Sequence, residues 1–219
     1  MTSFVYELWE SEPPRRAVTT VQTYVVHLRK LLVEASGATT PDIGKELLQT
    51  NGASYRLTLP GGSLDLHEFR RLLAAADGAV SMGRDREAVS FWQQADALWH
   101  GDVLADVEHG PLLRAETASL RQSRLSAADR RIEAQLRLGL HQDTLSELAG
   151  LVQLNPLDEG FHAKFMLALH RSGYRARALQ VYYDLRRAMS GELGIEPSRP
   201  IQQLLQDILS SDSSIEAAC

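Results

Sequence analysis

Between residues 19 and 32, apolar side chains recur at helical spacing in Val21, Val25, Leu28 and Leu32, while Thr20, Thr23, His27 and Lys30 fall on other faces. The pattern predicts one amphipathic helix over this stretch. Pro13-Pro14 closes whatever precedes it, and Thr19 or Thr20 offers an N-cap hydroxyl to the free N–H groups of the first turn. Residues 34–44, rich in Ser, Gly, Thr and Pro, read as a loop. Next, the β-prone runs 47–50 and 55–59 flank Asn51-Gly52-Ala53-Ser54, and an Asn-Gly pair in such a setting is a strong hairpin signal. The front of the chain therefore reads helix, loop, β-hairpin.

Beyond Gly61-Gly62, a flexible pair, strand signals fade and helical patterns follow one another. This places a domain boundary between residues 1–62 and 63–219. Breaks fall at Gly83, residues 101–110, Gly139, Asn155-Pro156, Gly173 and residues 194–197. Gly139 and Gly173 each end a helix and are 34 residues apart, the period of tetratricopeptide helix pairs. Residues 65–80 and 84–99 resemble an earlier, diverged pair, and the helix predicted over 116–138 is too long for a regular repeat. Phe91-Trp92, Leu98-Trp99, Phe161, Phe165, Tyr174 and Tyr182-Tyr183 recur at helical spacing and are expected in the inter-helix core. The charged run 114–137 predicts a solvated face, whose Arg121, Arg124, Arg130, Arg131 and Arg137 suit an acidic partner.

Composition narrows the class. With 44% hydrophobic and 23% charged residues and no apolar run near the ~20 needed to cross a bilayer, the chain reads as a globular cytoplasmic protein without a membrane partner. Its single cysteine, Cys219, is terminal, which excludes an internal disulfide framework. The net charge of -5 argues weakly against a nucleic-acid partner, but residues 1–62 are neutral, with six basic groups (Arg15, Arg16, Arg29, Lys30, Lys45, Arg56) against six acidic ones. Seven dispersed histidines show no metal-ligand spacing; His162 and His170 are expected at the surface. There is no nucleophile elbow or phosphate-cradling loop, so neither an enzyme nor a cofactor is expected.

A helix that enters the major groove needs an apolar stripe to seat it and polar residues outside to reach bases, and residues 19–32 have that division. A following hairpin can set its tip in the minor groove, where Asn51, Ser54 and Arg56 offer hydrogen bonds or charge. On pattern alone, a ligand-free helix packed on a small sheet fits equally well.

Further residues bear on the choice. Tyr6-Glu7-Leu8-Trp9, Pro13-Pro14, the run from Thr20 to Leu32 and Leu64-Asp65-Leu66-His67-Glu68-Phe69 together resemble the Streptomyces antibiotic regulatory protein family of activators. The resemblance implies a mainly α protein: an OmpR-type winged helix-turn-helix with a β-hairpin wing, followed by a bacterial transcriptional activation domain of tetratricopeptide-like α-helices. It makes residues 19–32 the recognition helix, 49–59 the wing and Leu64-Asp65-Leu66 the entry to the activation domain. Thr20, Thr23, His27 and Lys30 become the groove-facing candidates, with Arg29 and Arg56 on phosphates. The implied partners are promoter DNA carrying direct repeats, a second protomer on that DNA, and RNA polymerase holoenzyme.

Two departures from the family pattern stand out. The family commonly has Ser-Arg where this chain has Val26-His27, which removes a bidentate reader of guanine. The chain also begins almost inside the family's second helix, so the winged helix is partial, and Val21, Val25 and Leu28 are expected to lose their cover. That second departure supports an alternative, a helical-repeat interaction module that regulates a partner without touching DNA.

Overall fold

The computed structural model describes residues 1–58 and 60–210; Leu59 and Cys219 lie outside the described residues. The fold is mainly helical with one two-stranded antiparallel sheet. Contacts group the chain into two compact units, residues 1–70 with 98–124, and residues 71–97 with the chain from 125 onward.

In the first unit, α1 (Thr2–Trp9) leads to α2 (Ala17–Ser36), a short α3 (Thr40–Asp42), a π-helical turn (Ile43–Leu47), and the strands β1 (Leu48–Asn51) and β2 (Ser54–Leu57). The predicted helix is present but longer at both ends. Gly37 closes it in the left-handed region at φ 69, where its N–H reaches Val33 O and a side chain would be strained. The expected threonine cap is absent. Arg16 holds the N-cap position without a side-chain bond, while the Thr20 and Thr23 hydroxyls donate back to Arg16 O (3.1 Å) and Thr19 O (3.0 Å). Each hydroxyl thus sits inside the helix and satisfies the carbonyl one turn earlier. The expected loop after α2 is partly helical too, because Thr39 caps α3, its hydroxyl donating to Asp42 Oδ2 and accepting from Asp42 N.

The hairpin pairs Leu48 with Leu57 through to Asn51 with Ser54. Asn51 is therefore a strand residue, and Gly52-Ala53 form the two-residue loop. Gly52 has φ 60 and Ala53 is not among the positive-φ residues, the sign pattern of a type II′ turn, whose first loop position suits glycine.

The second unit contains the body of α4 (Asp65–Ser81), α5 (Asp85–Ala97), the rear of α6 (Pro111–Arg137), α7 (His141–Leu154), α8 (Glu159–Arg171), α9 (Arg175–Glu192) and α10 (Arg199–Ser210). Helices α4, α6 and α8 end in the same way. Gly83, Gly139 and Gly173 are left-handed, and the next N–H (Arg84, Leu140, Tyr174) returns to a carbonyl five residues back (Ala79, Gln135, Leu169) at 2.8–2.9 Å. This recurring closure reverses the chain into the next helix and is the physical content of the 34-residue period. Helix α7 stops just before Asn155-Pro156, whereas α9 ends at Glu192, well short of Pro197, with Gly194 left-handed at φ 69 just beyond it, and Asp158 caps α8 by accepting from Phe161 N at 3.1 Å. Helices α7, α8, α9 and α10 share one core around Leu148, Met166, Leu169, Leu185 and Ile208; Trp92 anchors a second with Ala88 and Ala134.

Of the aromatic series, Trp92, Phe161, Phe165 and Tyr182 are buried as expected, but Tyr174 and Tyr183 are exposed. Tyr183 lies one position past buried Tyr182, and Tyr174 holds the N-cap position of α9 outside the helix, so helical spacing alone misplaces them. The arginines of α6 are engaged within the fold rather than left for a partner. Arg130 pairs with Asp77, Arg131 with Glu147 and Arg137 with Asp85 in the second unit; in the first, Arg121 pairs with Asp102 and Arg124 covers the Trp99 ring.

His162 is buried, against the surface position expected, with Nδ1 2.8 Å from Asp158 O. Among the described residues, His141 and His170 each keep a buried Nδ1 without a hydrogen-bond partner. Burial, with Arg171 nearby, holds His141 below the ordinary histidine range, and burial with Arg175 and Arg171 does the same for His170. Because folding lowers both, the unfolded chain binds more protons as the pH falls. Their contribution is fully present above the ordinary value of 6.5 and is lost as the pH drops through the lowered folded values. Urea unfolding is therefore expected to show lower stability in mildly acidic buffer than above neutrality, and His141→Gln with His170→Gln should flatten the difference.

Candidate nucleic-acid interface

The seat of α2 is built from short elements that follow it in sequence. Val25 packs with Ile43 of the π-helical turn and Leu48 of β1, and Leu32, Val33, Leu47 and Tyr55 close around them. Val21 and Val25 are buried, not uncovered as the sequence suggested, because the π-helical turn brings Ile43 under the helix and α1 packs on α2. Leu28 behaves as expected of an uncovered position. It is 51% exposed, and Tyr24 and Leu31 beside it are about as open.

Arg29 supplies the tie that the sequence did not signal. Its Nε and Nη2 donate to Leu48 O at 3.1 and 2.6 Å, and Nη2 also donates to Thr50 Oγ1 at 2.8 Å. The guanidinium thus fixes helix to strand through a carbonyl at the start of β1, and only Nη1 remains for a phosphate. On the other side, the Phe4 ring of α1 lies 6.1 Å from the Tyr55 ring of β2. The hairpin is held from both sides.

With α2 seated in this way, Thr23, His27 and Lys30 are exposed on the face opposite Val21 and Val25, and Thr20, half-buried, lies at its edge. At the hairpin, Asn51, Ser54 and Arg56 are all exposed. The Ser54 hydroxyl donates to Asn51 O at 2.9 Å, tightening the turn. Strand alternation sends Ser54 and Arg56 to the face away from half-buried Tyr55. The eight predicted residues therefore form a helix group and a hairpin group, joined through Arg29.

A second brace lies at the start of α6. The Glu7 carboxylate of α1 accepts from Leu112 N at 2.7 Å and Leu113 N at 3.3 Å, so a side chain from a distant helix caps these free N–H groups. Arg114 reinforces it by donating to Glu10 Oε1 at 2.5 Å and to His109 O at 2.9 Å. Gly110 makes the approach possible, since a Cβ there would sit 1.9 Å from the Glu7 carbonyl oxygen. Pro111 marks the helix start in sequence, but nothing local points to Glu7.

Residues 64–209 match the bacterial transcriptional activator domain family, two thirds of the chain. DnrI, a regulatory protein of Streptomyces peucetius, is 39% identical over 96% of this chain and 77% of its own length. The chain belongs to the Streptomyces antibiotic regulatory protein family. Within that family, AfsR of Streptomyces coelicolor is 38% identical over 95% of this chain but only 20% of AfsR. A solved structure of Mycobacterium tuberculosis EmbR in complex with a low affinity phosphopeptide superposes over 99% of this chain and 56% of that one, with a TM-score of 0.82 and 26% identity. The architecture shared with family members is a winged-helix segment followed by a helical domain, and the chain is a transcriptional regulator. Among the described residues no helix is long and apolar enough to cross a membrane, and no three His, Cys, Asp or Glu side chains gather as a metal site.

Proposed function

We propose that the chain is a cytoplasmic DNA-binding activator of an antibiotic or other specialised-metabolite gene cluster. Two protomers bind direct repeats in a promoter, and the helical domain recruits RNA polymerase holoenzyme. Gly61-Gly62 marks the division between the DNA-reading segment and the activating one. The observation that carries this reading is the locked pair of α2 and hairpin, with Thr23, His27 and Lys30 open on the face opposite the buried valines. In this reading α2 enters the major groove, Thr20 touches its edge, and Asn51, Ser54 and Arg56 meet the adjacent minor groove and backbone. Arg29 acts chiefly as a positioning residue.

The test is binding to promoter DNA at a series of salt concentrations. Affinity is expected to fall steeply between about 50 and 200 mM salt. Lys30→Ala should weaken all sequences alike and reduce the salt slope by about 1, whereas His27→Ala should cost about 1 kcal/mol and relax sequence preference. Absence of salt-dependent binding would favour the second reading, an interaction module that acts on a partner protein. The exposed stripe of Tyr24, Leu28 and Leu31 is the observation in its favour.

A further inference from the structure

A cavity in the first unit has no part in DNA reading. It measures about 390 Å³ and lies among the start of α4, the segment leaving α5 and Leu120 of α6. Its body is apolar, formed by Leu66, Phe69, Trp99, Val103, Leu104 and Leu120, and its volume falls in the range of small-molecule sites.

Its walls are fixed before any ligand arrives. The Phe69 and Trp99 rings meet edge to face at 5.3 Å, and the Arg124 guanidinium lies 4.9 Å from the centre of the Trp99 ring. Arg121 clamps Asp102 with two bonds of 2.8 and 2.6 Å. Leu104 is held in the left-handed region at φ 49, rare for a leucine, with its carbonyl bound by Val107 N and His109 Nε2, each at 3.0 Å. The strained backbone places a half-exposed leucine in the cavity wall, and strain of this kind gathers at ligand clamps.

The polar groups define what the cavity accepts. Asp102 is spent, since Arg121 and Val103 N occupy its oxygens. Asp65 accepts only from Leu66 N, through Oδ1, and forms no ion pair among the described residues. His100 Nδ1 lies 3.0 Å from Leu98 O; a carbonyl can only accept, so Nδ1 carries the proton and Nε2 of the neutral ring is an acceptor. Both available groups accept hydrogen bonds, and one is negative.

We infer that this cavity binds a neutral or cationic aromatic small molecule, its ring against Phe69 and Trp99 and a hydroxyl or amino donor directed to Asp65 or His100. Anions are rejected by the Asp65 carboxylate.

Calorimetric titration of the full chain with 1-naphthol and with 1-naphthalenesulfonate tests the assignment. One saturable site for 1-naphthol is expected, with the sulfonate at least about tenfold weaker, because the unpaired carboxylate repels it. Leu120→Trp fills the cavity and should abolish binding at an unchanged melting temperature; Val103→Trp, on another wall and likewise half-buried, serves the same purpose if Leu120→Trp does not fold. Lack of saturable 1-naphthol binding, equal binding of the sulfonate, or binding that survives substitution in a folded variant would overturn the assignment.

Discussion

Gly110→Ala is expected to lower the stability of the chain by about 1–3 kcal/mol, the range for forcing an extra carbon into a filled site. The added Cβ would lie 1.9 Å from a backbone oxygen of Glu7, and no rotamer change relieves a contact between two backbones. Either α1 moves away or the start of α6 does. Both outcomes break the bonds from Leu112 N and Leu113 N to the Glu7 carboxylate. Glu7→Ala isolates that part of the loss, and about 1 kcal/mol is expected from removing the cap alone. Denaturant unfolding of the two variants separates the steric effect from the capping effect; equal losses would show that the clash is relieved elsewhere. Because Phe4 of the same helix packs near Tyr55, the Gly110 variant should also loosen the hairpin, seen as faster amide exchange in β1 and β2.

Arg29→Ala should produce the largest functional effect of any single change in α2. The substitution leaves Leu48 O without its charged donor and Thr50 Oγ1 without its partner, and a bond to a charged group contributes about 1.5–3 kcal/mol. Helix and hairpin then lose their fixed relation. Promoter affinity is expected to fall more than tenfold while the salt slope changes little, since a positioning role alters geometry more than the number of phosphates contacted. Arg29→Lys tests the same point. An ammonium offers no planar fork to span the carbonyl and the hydroxyl, so lysine should restore charge without restoring affinity. Full rescue by lysine would instead assign Arg29 to a phosphate.

Much of the fold was legible in the sequence. The apolar stripe of residues 21, 25 and 32 identified α2, Asn51-Gly52 identified the hairpin, and Gly139 and Gly173 gave the helical period. Each of these signals is carried by residues within a few positions of one another. The departures from these patterns are also local in form. Thr19 and Thr20 look like caps in sequence, yet the helix begins at Ala17, whose N–H donates to Pro14 O, and Arg16 at the N-cap position makes no side-chain bond. In sequence Asn51 and Ser54 read as turn residues, but their pairing shortens the loop from four residues to Gly52-Ala53.

The sequence by itself determined the succession of elements, the family, and which face of α2 is apolar, because periodicity and turn chemistry act between near neighbours. Tertiary structure alone decided that Arg29 ties the helix to β1, that Glu7 caps α6 across 105 residues, that the arginines of α6 are matched by the chain's own acids, and that an apolar cavity opens beside Trp99. A charged side chain carries no local mark of its partner. Its bond depends on the approach of distant backbones, which close packing fixes only when the whole unit has folded.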